Sequence, residues 1–100
     1  MITSGTTPLA TTGAGIVDVP NISSPGMYDE ITVITTGSAP GFIALDGGAN
    51  DSSWAYIPAG ANGGSLTLRG PLLCSGSVGL CIKRAGGVDM SGVYVAAQPG

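Results

Sequence analysis

Side chains that could carry out chemistry are few in this chain of 100 residues, and histidine is absent. Without histidine, the Ser–His and Cys–His pairs that activate many enzymatic nucleophiles cannot form. A glycosidase needs two carboxylates, but most of the acids here fall at predicted strand ends or turns, where they bind local backbone groups. They are Asp18, Asp29, Glu30, Asp46, Asp51 and Asp89. We therefore predict that the protein is not an enzyme and assign no catalytic residue.

The segment 46–52, DGGANDS, is the best candidate for a metal site. Asp46, Asn50 and Asp51 supply the oxygen ligands that calcium prefers. The spacing does not match an EF-hand loop, and Asp-Gly-Gly is an ordinary turn sequence. We predict a turn with no metal and no cofactor, and keep calcium as the alternative.

Two cysteines, Cys74 and Cys81, flank the segment SGSVGL. A C-x-x-C motif is absent, and so are the further ligands that a zinc site needs. Two interpretations stay open. The cysteines are either small buried hydrophobic residues or partners in a disulfide, which would require Cα atoms within about 7 Å of each other.

Trp54 and Tyr56 alternate along the predicted strand WAYIP, so they are expected on the same face. An exposed aromatic pair could stack on a sugar ring or contact a protein partner. The alternative is that both side chains cover one end of the core.

Composition excludes several classes of partner. Three cations, Arg69, Lys83 and Arg84, are too few to neutralise a phosphate backbone, so no nucleic-acid partner is predicted. No apolar run approaches the roughly 20 residues of a membrane span, and residues 1–15 contain no Lys or Arg, unlike a secretory signal. The 18 glycines and a small set of large apolar residues indicate a lean core, which favours a homo-oligomer.

Short runs rich in β-branched and apolar residues, separated by Gly and Pro turns, predict an all-β fold without helices. The predicted strands are 15–19, 29–36, 42–46, 54–58, 65–69, 77–83 and 92–97. The pair 29–36 and 42–46 is predicted to form a hairpin, and Gly70-Pro71 to end a strand. We expect one small β-sandwich or jelly-roll-like barrel of about seven short antiparallel strands over residues 16–100, preceded by an extended N-terminal arm, residues 1–15.

Five stretches between Tyr28 and Ala97 resemble a family of small tailed-phage head proteins, the decoration, cement and head-fibre subunits. The stretches are YDEITVITTGSAPGFIALDGG, WAYIPAG, SLTLRGP, SVGLCIKRAG and GVYVAA. In that family a short turn leads into a strand of the FIALD kind, and the chain ends in a GVYV strand.

The resemblance implies a virion structural protein, made in the host cytoplasm, that binds the outer capsid surface and stabilises it. Its partners would be the major capsid protein and further copies of itself, as a homotrimer or homodimer. The expected capsid or partner contacts are Thr3, Thr6, Thr7, Pro8, Leu9, Trp54 and Tyr56. The alternatives are a head- or tail-fibre module that recognises a host-surface glycan, and another tail or neck component.

Overall fold

The computed structural model describes residues 3–19, 26–74 and 79–100. This part of the chain contains eight strands and one short 3-10 helix, Asp51–Ser53. The strands are β1 (Thr3–Leu9), β2 (Val17–Asp18), β3 (Gly26–Thr35), β4 (Gly41–Ala44), β5 (Ala55–Ile57), β6 (Gly64–Cys74), β7 (Cys81–Arg84) and β8 (Val93–Pro99).

The strands form two four-stranded antiparallel sheets. Sheet A has the order β1-β8-β3-β6, and sheet B has the order β2-β7-β4-β5. The pairs β1–β8, β2–β7, β3–β6 and β4–β5 are those of one long hairpin whose tip lies between β4 and β5. Rolling that hairpin brings β3 beside β8 and β4 beside β7. This order is a jelly roll, so the prediction of a small all-β sandwich is confirmed.

The core lies between the two sheets because apolar residues alternate along the longer strands β3, β6 and β8. In β3, Ile31 and Val33 are fully buried, whereas Ile34 on the opposite face is 48% exposed. The buried core consists of Val19, Tyr28, Ile31, Val33, Ile43, Ile57, Cys74, Leu80, Ile82, Met90, Val93, Val95 and Ala97. Burial of each large aliphatic side chain stabilises the fold by about 1.5–3 kcal/mol.

The predicted hairpin between 29–36 and 42–46 is wrong. Strand β3 lies in sheet A and β4 lies in sheet B, so the connection at 36–40 crosses from one sheet to the other. Backbone bonds from Thr36 N to the Gly92 carbonyl (3.0 Å) and from Gly37 N to the Ser91 carbonyl (3.2 Å) hold this crossing against the segment before β8. β4 instead forms its hairpin with β5.

Strand β6 continues through Gly70-Pro71, where the sequence predicts a break. Arg69 pairs with Glu30 and Leu72 pairs with Tyr28, so Gly70 and Pro71 together oppose Asp29 alone. Such a bulge absorbs an extra residue, and β6 lies at a sheet edge, where proline is tolerated.

The predicted N-terminal arm contains a strand of the sandwich. Strand β1 lies at the edge of sheet A, with Thr3 opposite Ala97 and Gly5 opposite Val95. Thr11 follows it and is 3% exposed. Its hydroxyl accepts a bond of 2.7 Å from Met90 N, and its own N–H donates to the Met90 carbonyl. The backbone of β1 and the buried Thr11 therefore attach residues 3–11 to their own domain, and contact with a neighbouring subunit stays a prediction.

Across residues 3–19, 26–74 and 79–100, no helix has the length and apolar character needed to cross a bilayer.

Candidate functional site

An aromatic cluster lies on the outer side of sheet B. Phe42 on β4 pairs with Tyr56 on β5 and with Lys83 on β7. Its neighbour Ile43 belongs to the core, so alternation directs Phe42 outward. Together with Trp54, which directly precedes β5, these side chains form what we call the aromatic surface: Phe42, Trp54, Tyr56 and Lys83.

The members of the aromatic surface contact one another in defined geometries. The rings of Phe42 and Tyr56 are edge to face, with centroids 5.6 Å apart. The Lys83 Nζ lies 4.3 Å from the Trp54 ring centroid and 5.7 Å from that of Phe42. Each is within the reach of a cation–π interaction, worth about 0.5–1 kcal/mol at exposed sites. The ammonium group is therefore held between two rings.

Trp54 is positioned by the loop that joins β4 to β5. The Gly47 N–H donates to the Gly79 carbonyl at 2.8 Å, which ties the loop to the segment before β7. Gly48 has a φ of 76°, in the left-handed region, and a Cβ there would strike the Trp54 indole. Only glycine combines this conformation with such a close approach.

The carboxylate of Asp46 closes the same loop from within. Its Oδ2 accepts a bond of 2.7 Å from the Ser53 hydroxyl, and its Oδ1 accepts one of 3.0 Å from Gly48 N. The Ser53 bond is the main reason that the pKa of Asp46 lies below its usual value. This carboxylate orders the turn predicted at 46–52. Within the described residues, no group of three or more potential His, Cys, Asp or Glu ligands is gathered.

A surface depression of about 240 Å³ adjoins the cluster and is lined by Phe42, Asp51, Trp54 and Lys83. Both arginines are in ion pairs, Arg69 with Glu30 at 2.8 Å and Arg84 with Asp89 at 2.9 Å. Lys83 has no carboxylate within 4.0 Å in the part of the chain that the structure describes. Its charge is thus available to a ligand in the depression.

The two cysteines are free and fully buried; Cys74 is the last residue of β6 in sheet A, and Cys81 is the first residue of β7 in sheet B. Cys74 belongs to the core, whereas Cys81 alternates with the core residues Leu80 and Ile82 and so faces away from it. Burial is the main cause that raises the pKa of the Cys81 thiol to about 11, and burial also raises that of Cys74.

We expect stability to fall as pH rises from about 9 to about 11, because the unfolded thiol of Cys81 ionises at 9.0 while the folded one keeps its proton to about 11. Urea unfolding of the wild type and of Cys81→Ala across this range measures the effect. The substitution is expected to flatten the decline, because it removes the Cys81 thiol and leaves the buried thiol of Cys74 in both proteins. Equal declines in the two proteins would contradict the assignment to Cys81.

The predicted contact residues are divided between the two sheets. Thr3, Thr6, Thr7, Pro8 and Leu9 are in β1 on sheet A, where Pro8 is exposed and Leu9 packs against the core. Trp54 and Tyr56 lie on the outer side of sheet B, where Trp54 is half-buried and Tyr56 is 51% exposed. The structure does not bring the two sets together, and their contact with a capsid stays a prediction.

Sequence reasoning missed Phe42 and Lys83, because neither lies near Trp54 in the chain. Their common position depends on β4 lying between β5 and β7. The alternation of Phe42 with the buried residues Gly41 and Ile43 was a usable signal for its face. The alternation gave no information about which residues of β5 and β7 lie beside Phe42.

Sheet A has a second exposed surface, which was not predicted from the sequence. Ile34 pairs with Tyr94, and Met27 pairs with Leu73. Ile34 is 48% exposed and Tyr94 is 40% exposed, and the corresponding values for Met27 and Leu73 are 49% and 54%. We call these four side chains, with the polar rows between them, the outer face of sheet A.

The sequence matches no protein-family model and no curated protein. Among solved structures, the chain is similar to one described as "Cyanophage Pam1 capsid asymmetric unit". The identity is 19% and the TM-score is 0.47, over 99% of this chain and 84% of the other. A likeness of this size does not establish a shared function.

Proposed function

We propose that the protein is a structural component of a tailed-phage virion: a decoration or cement subunit that binds the outer face of the head shell and stabilises it. Its proposed partners are the major capsid protein and further copies of itself, as a trimer or dimer. The resemblance of residues 28–97 to phage head proteins supports this role. The jelly roll is compatible with it, but lectin domains and cupins share that fold, so the choice rests on the surfaces.

The observation that carries the proposal is the outer face of sheet A. Apolar pairs lie toward its two ends, and the row between Glu30 and Arg69 holds an ion pair whose charges cancel. Another row joins Thr32 to Thr67 and Ala96. Apolar patches with a polar surround mark sites of protein contact. Such a surface offers a partner apolar area without a net charge to desolvate.

The proposed contact includes the edges of sheet A, because its outer face alone is smaller than a stable interface. Four strands at 4.8 Å spacing and about seven residues long give roughly 19 × 24 Å, about 450 Å². A stable interface buries about 800 Å² on each partner. The free edges of sheet A are β1 and the eleven-residue β6. Edge strands extend an interface by backbone pairing with a neighbour.

The proposed mechanism is mechanical rather than chemical. Each subunit spans a seam between capsid proteins and buries surface on both sides of it. Outward pressure from packaged DNA must then break these contacts in addition to those of the shell. Catalysis plays no part in this proposal, in keeping with a chain that contains no histidine.

The double substitution Ile34→Ser with Tyr94→Ser is expected to weaken binding to heads that lack the protein by at least tenfold. Both side chains are exposed and adjacent on the outer face of sheet A, so their loss removes contact area without opening the core. Cosedimentation of the purified protein with such heads measures the affinity.

Tyr56→Ser is the matched control, because Tyr56 is 51% exposed on sheet B. If the outer face of sheet A is the capsid contact, Tyr56→Ser binds heads like the wild type; weakened binding by Tyr56→Ser would instead support the contact predicted for Tyr56 from the sequence. Sedimentation equilibrium of all three proteins shows whether the substitutions alter self-association instead. Undiminished head binding by the double variant would reject this face as the capsid contact.

A further inference from the structure

We propose that the depression beside the aromatic surface binds a neutral sugar ring. The site is lined by Phe42, Asp51, Trp54 and Lys83 and is about 240 Å³ in volume. The depression lies on the outer side of sheet B, whereas the proposed capsid contact is the outer face of sheet A. The inference therefore does not depend on attachment to a capsid.

The rings give the depression an apolar wall. Phe42 projects outward from the middle strand pair of sheet B, and the Trp54 indole lines the same depression. Tyr56, edge to face with Phe42 and 51% exposed, extends the apolar surface beside it. A pyranose ring presents C–H groups on its faces, and these groups can stack on the flat apolar faces of aromatic side chains.

The charged groups give the same depression a donor and an acceptor. Lys83 supplies an ammonium with three N–H donors, and Asp51 supplies a carboxylate that only accepts. Sugar hydroxyls can satisfy both, because each hydroxyl donates one hydrogen bond and accepts others. The two formal charges cancel, which favours a neutral ligand over an anion or a cation.

The site is ordered before a ligand arrives. Trp54 is set by the close approach of Gly48, and the loop is closed by the bonds of Asp46 to Ser53 and Gly48. Lys83 is held by cation–π contacts at 4.3 and 5.7 Å. Pre-ordered side chains lose less entropy on binding. This makes weak binding of a single sugar ring measurable.

Other ligand classes fit the depression less well. One lysine cannot neutralise a nucleic-acid backbone. A single lining carboxylate is too few oxygen ligands for a calcium ion. A purely apolar ligand would leave the ammonium and the carboxylate without partners. A polyhydroxylated ring uses every group that lines the site.

The chain contains one tryptophan, so its fluorescence reports directly on this site. We expect a saturable change when the methyl glycosides of glucose, galactose, mannose and N-acetylglucosamine are titrated, with a Kd on the order of 1 mM for at least one of them. Sorbitol has the hydroxyls but no ring face, and is expected to give no saturable change.

Asp51→Asn and Lys83→Met are expected to raise the Kd at least tenfold, because the first replaces a charged acceptor with a neutral amide and the second removes the ammonium donors. Tyr94→Ala is the matched control on sheet A, with a side chain that is 40% exposed, and is expected to leave the Kd unchanged. Because Lys83→Met also alters the surroundings of Trp54, backbone amide shifts in NMR spectra provide a second readout.

Absence of saturable binding by all four glycosides in both measurements overturns the proposal. Binding of glucuronate without binding of the glycosides overturns the neutral class in favour of an anionic ligand. Loss of head binding in Asp51→Asn and Lys83→Met, without any sugar response, assigns the aromatic surface to a protein partner instead. Failure of sheet A to bind heads leaves the sugar titration unaffected, so the two proposals can fail separately.

Discussion

Replacement of Ile31 with alanine is expected to lower the free energy of unfolding by about 3–4 kcal/mol. Ile31 is fully buried in the core, and it lies in β3, the strand that pairs with both β6 and β8. Truncation removes buried methyl groups and leaves a cavity that neighbouring strands cannot close. Because a domain of this size has only about 5–15 kcal/mol of stability, the loss is a large fraction of the whole.

Ile34→Ala is the matched control for this prediction. It makes the same chemical change in the same strand, but the side chain is 48% exposed. A loss below about 1 kcal/mol is expected, since little burial is removed. Urea unfolding followed by circular dichroism measures both variants. Equal losses would show that Ile31 does not face a packed core.

The substitution Gly63→Ala is expected to destabilise the protein by about 2–4 kcal/mol. Gly63 has a φ of 80°, in the left-handed region that favours glycine, and a Cβ there would strike the carbonyl oxygen of Thr35. A backbone atom of β3 cannot move aside without disturbing the β3–β6 pairing that begins at Thr35 and Gly64.

Gly60→Ala is the corresponding control within the same turn. Gly60 and Gly63 exchange two backbone hydrogen bonds of 3.0 and 2.9 Å, yet a Cβ at Gly60 meets nothing within 4 Å. We expect a change within about 0.5 kcal/mol for this variant. Thermal unfolding of the two proteins side by side provides the comparison. A stable Gly63→Ala variant would mean that the turn adopts another conformation.

The sequence predicts strands and their faces well because both are local properties. The β-branched run in β3 predicts an extended backbone, and its alternation correctly places Ile31 and Val33 on one face. In β8, Val93 and Val95 are buried and Tyr94 is exposed, which is the alternation expected of the predicted strand 92–97. These features depend on residues two positions apart and need no knowledge of the partner strands.

Strand pairing is not local, and the pairing predicted for β3 and β4 is wrong. The predicted hairpin between β3 and β4 assumes that neighbours in sequence pair, but the short turn at 37–40 connects two sheets. Gly41 allows β4 to approach Met90, whose side chain would be struck by a Cβ at that position. Nothing in the composition of the turn distinguishes a hairpin from such a crossing.

Only part of the candidate site was predicted, again because strand pairing is not a local property. Trp54 and Tyr56 share one short segment, so their association follows from alternation. Lys83 reaches them only because β7 and β5 both pair with β4. The strand within the predicted arm was missed, because the Thr- and Gly-rich β1 has little apolar alternation. Its strand conformation depends on the edge that β8 provides.

The rolled hairpin also imposes an order on synthesis. Strand β3 leaves the ribosome before β6, and β8, its other partner, begins about 60 residues later. At 5–20 residues per second, the nascent chain carries β3 without its full set of partners for about 3–12 s. An unpaired β-branched strand is a hazard for aggregation. Asp29 and Glu30, at the start of its β-branched run, carry the like charges that act as gatekeepers against association between nascent chains.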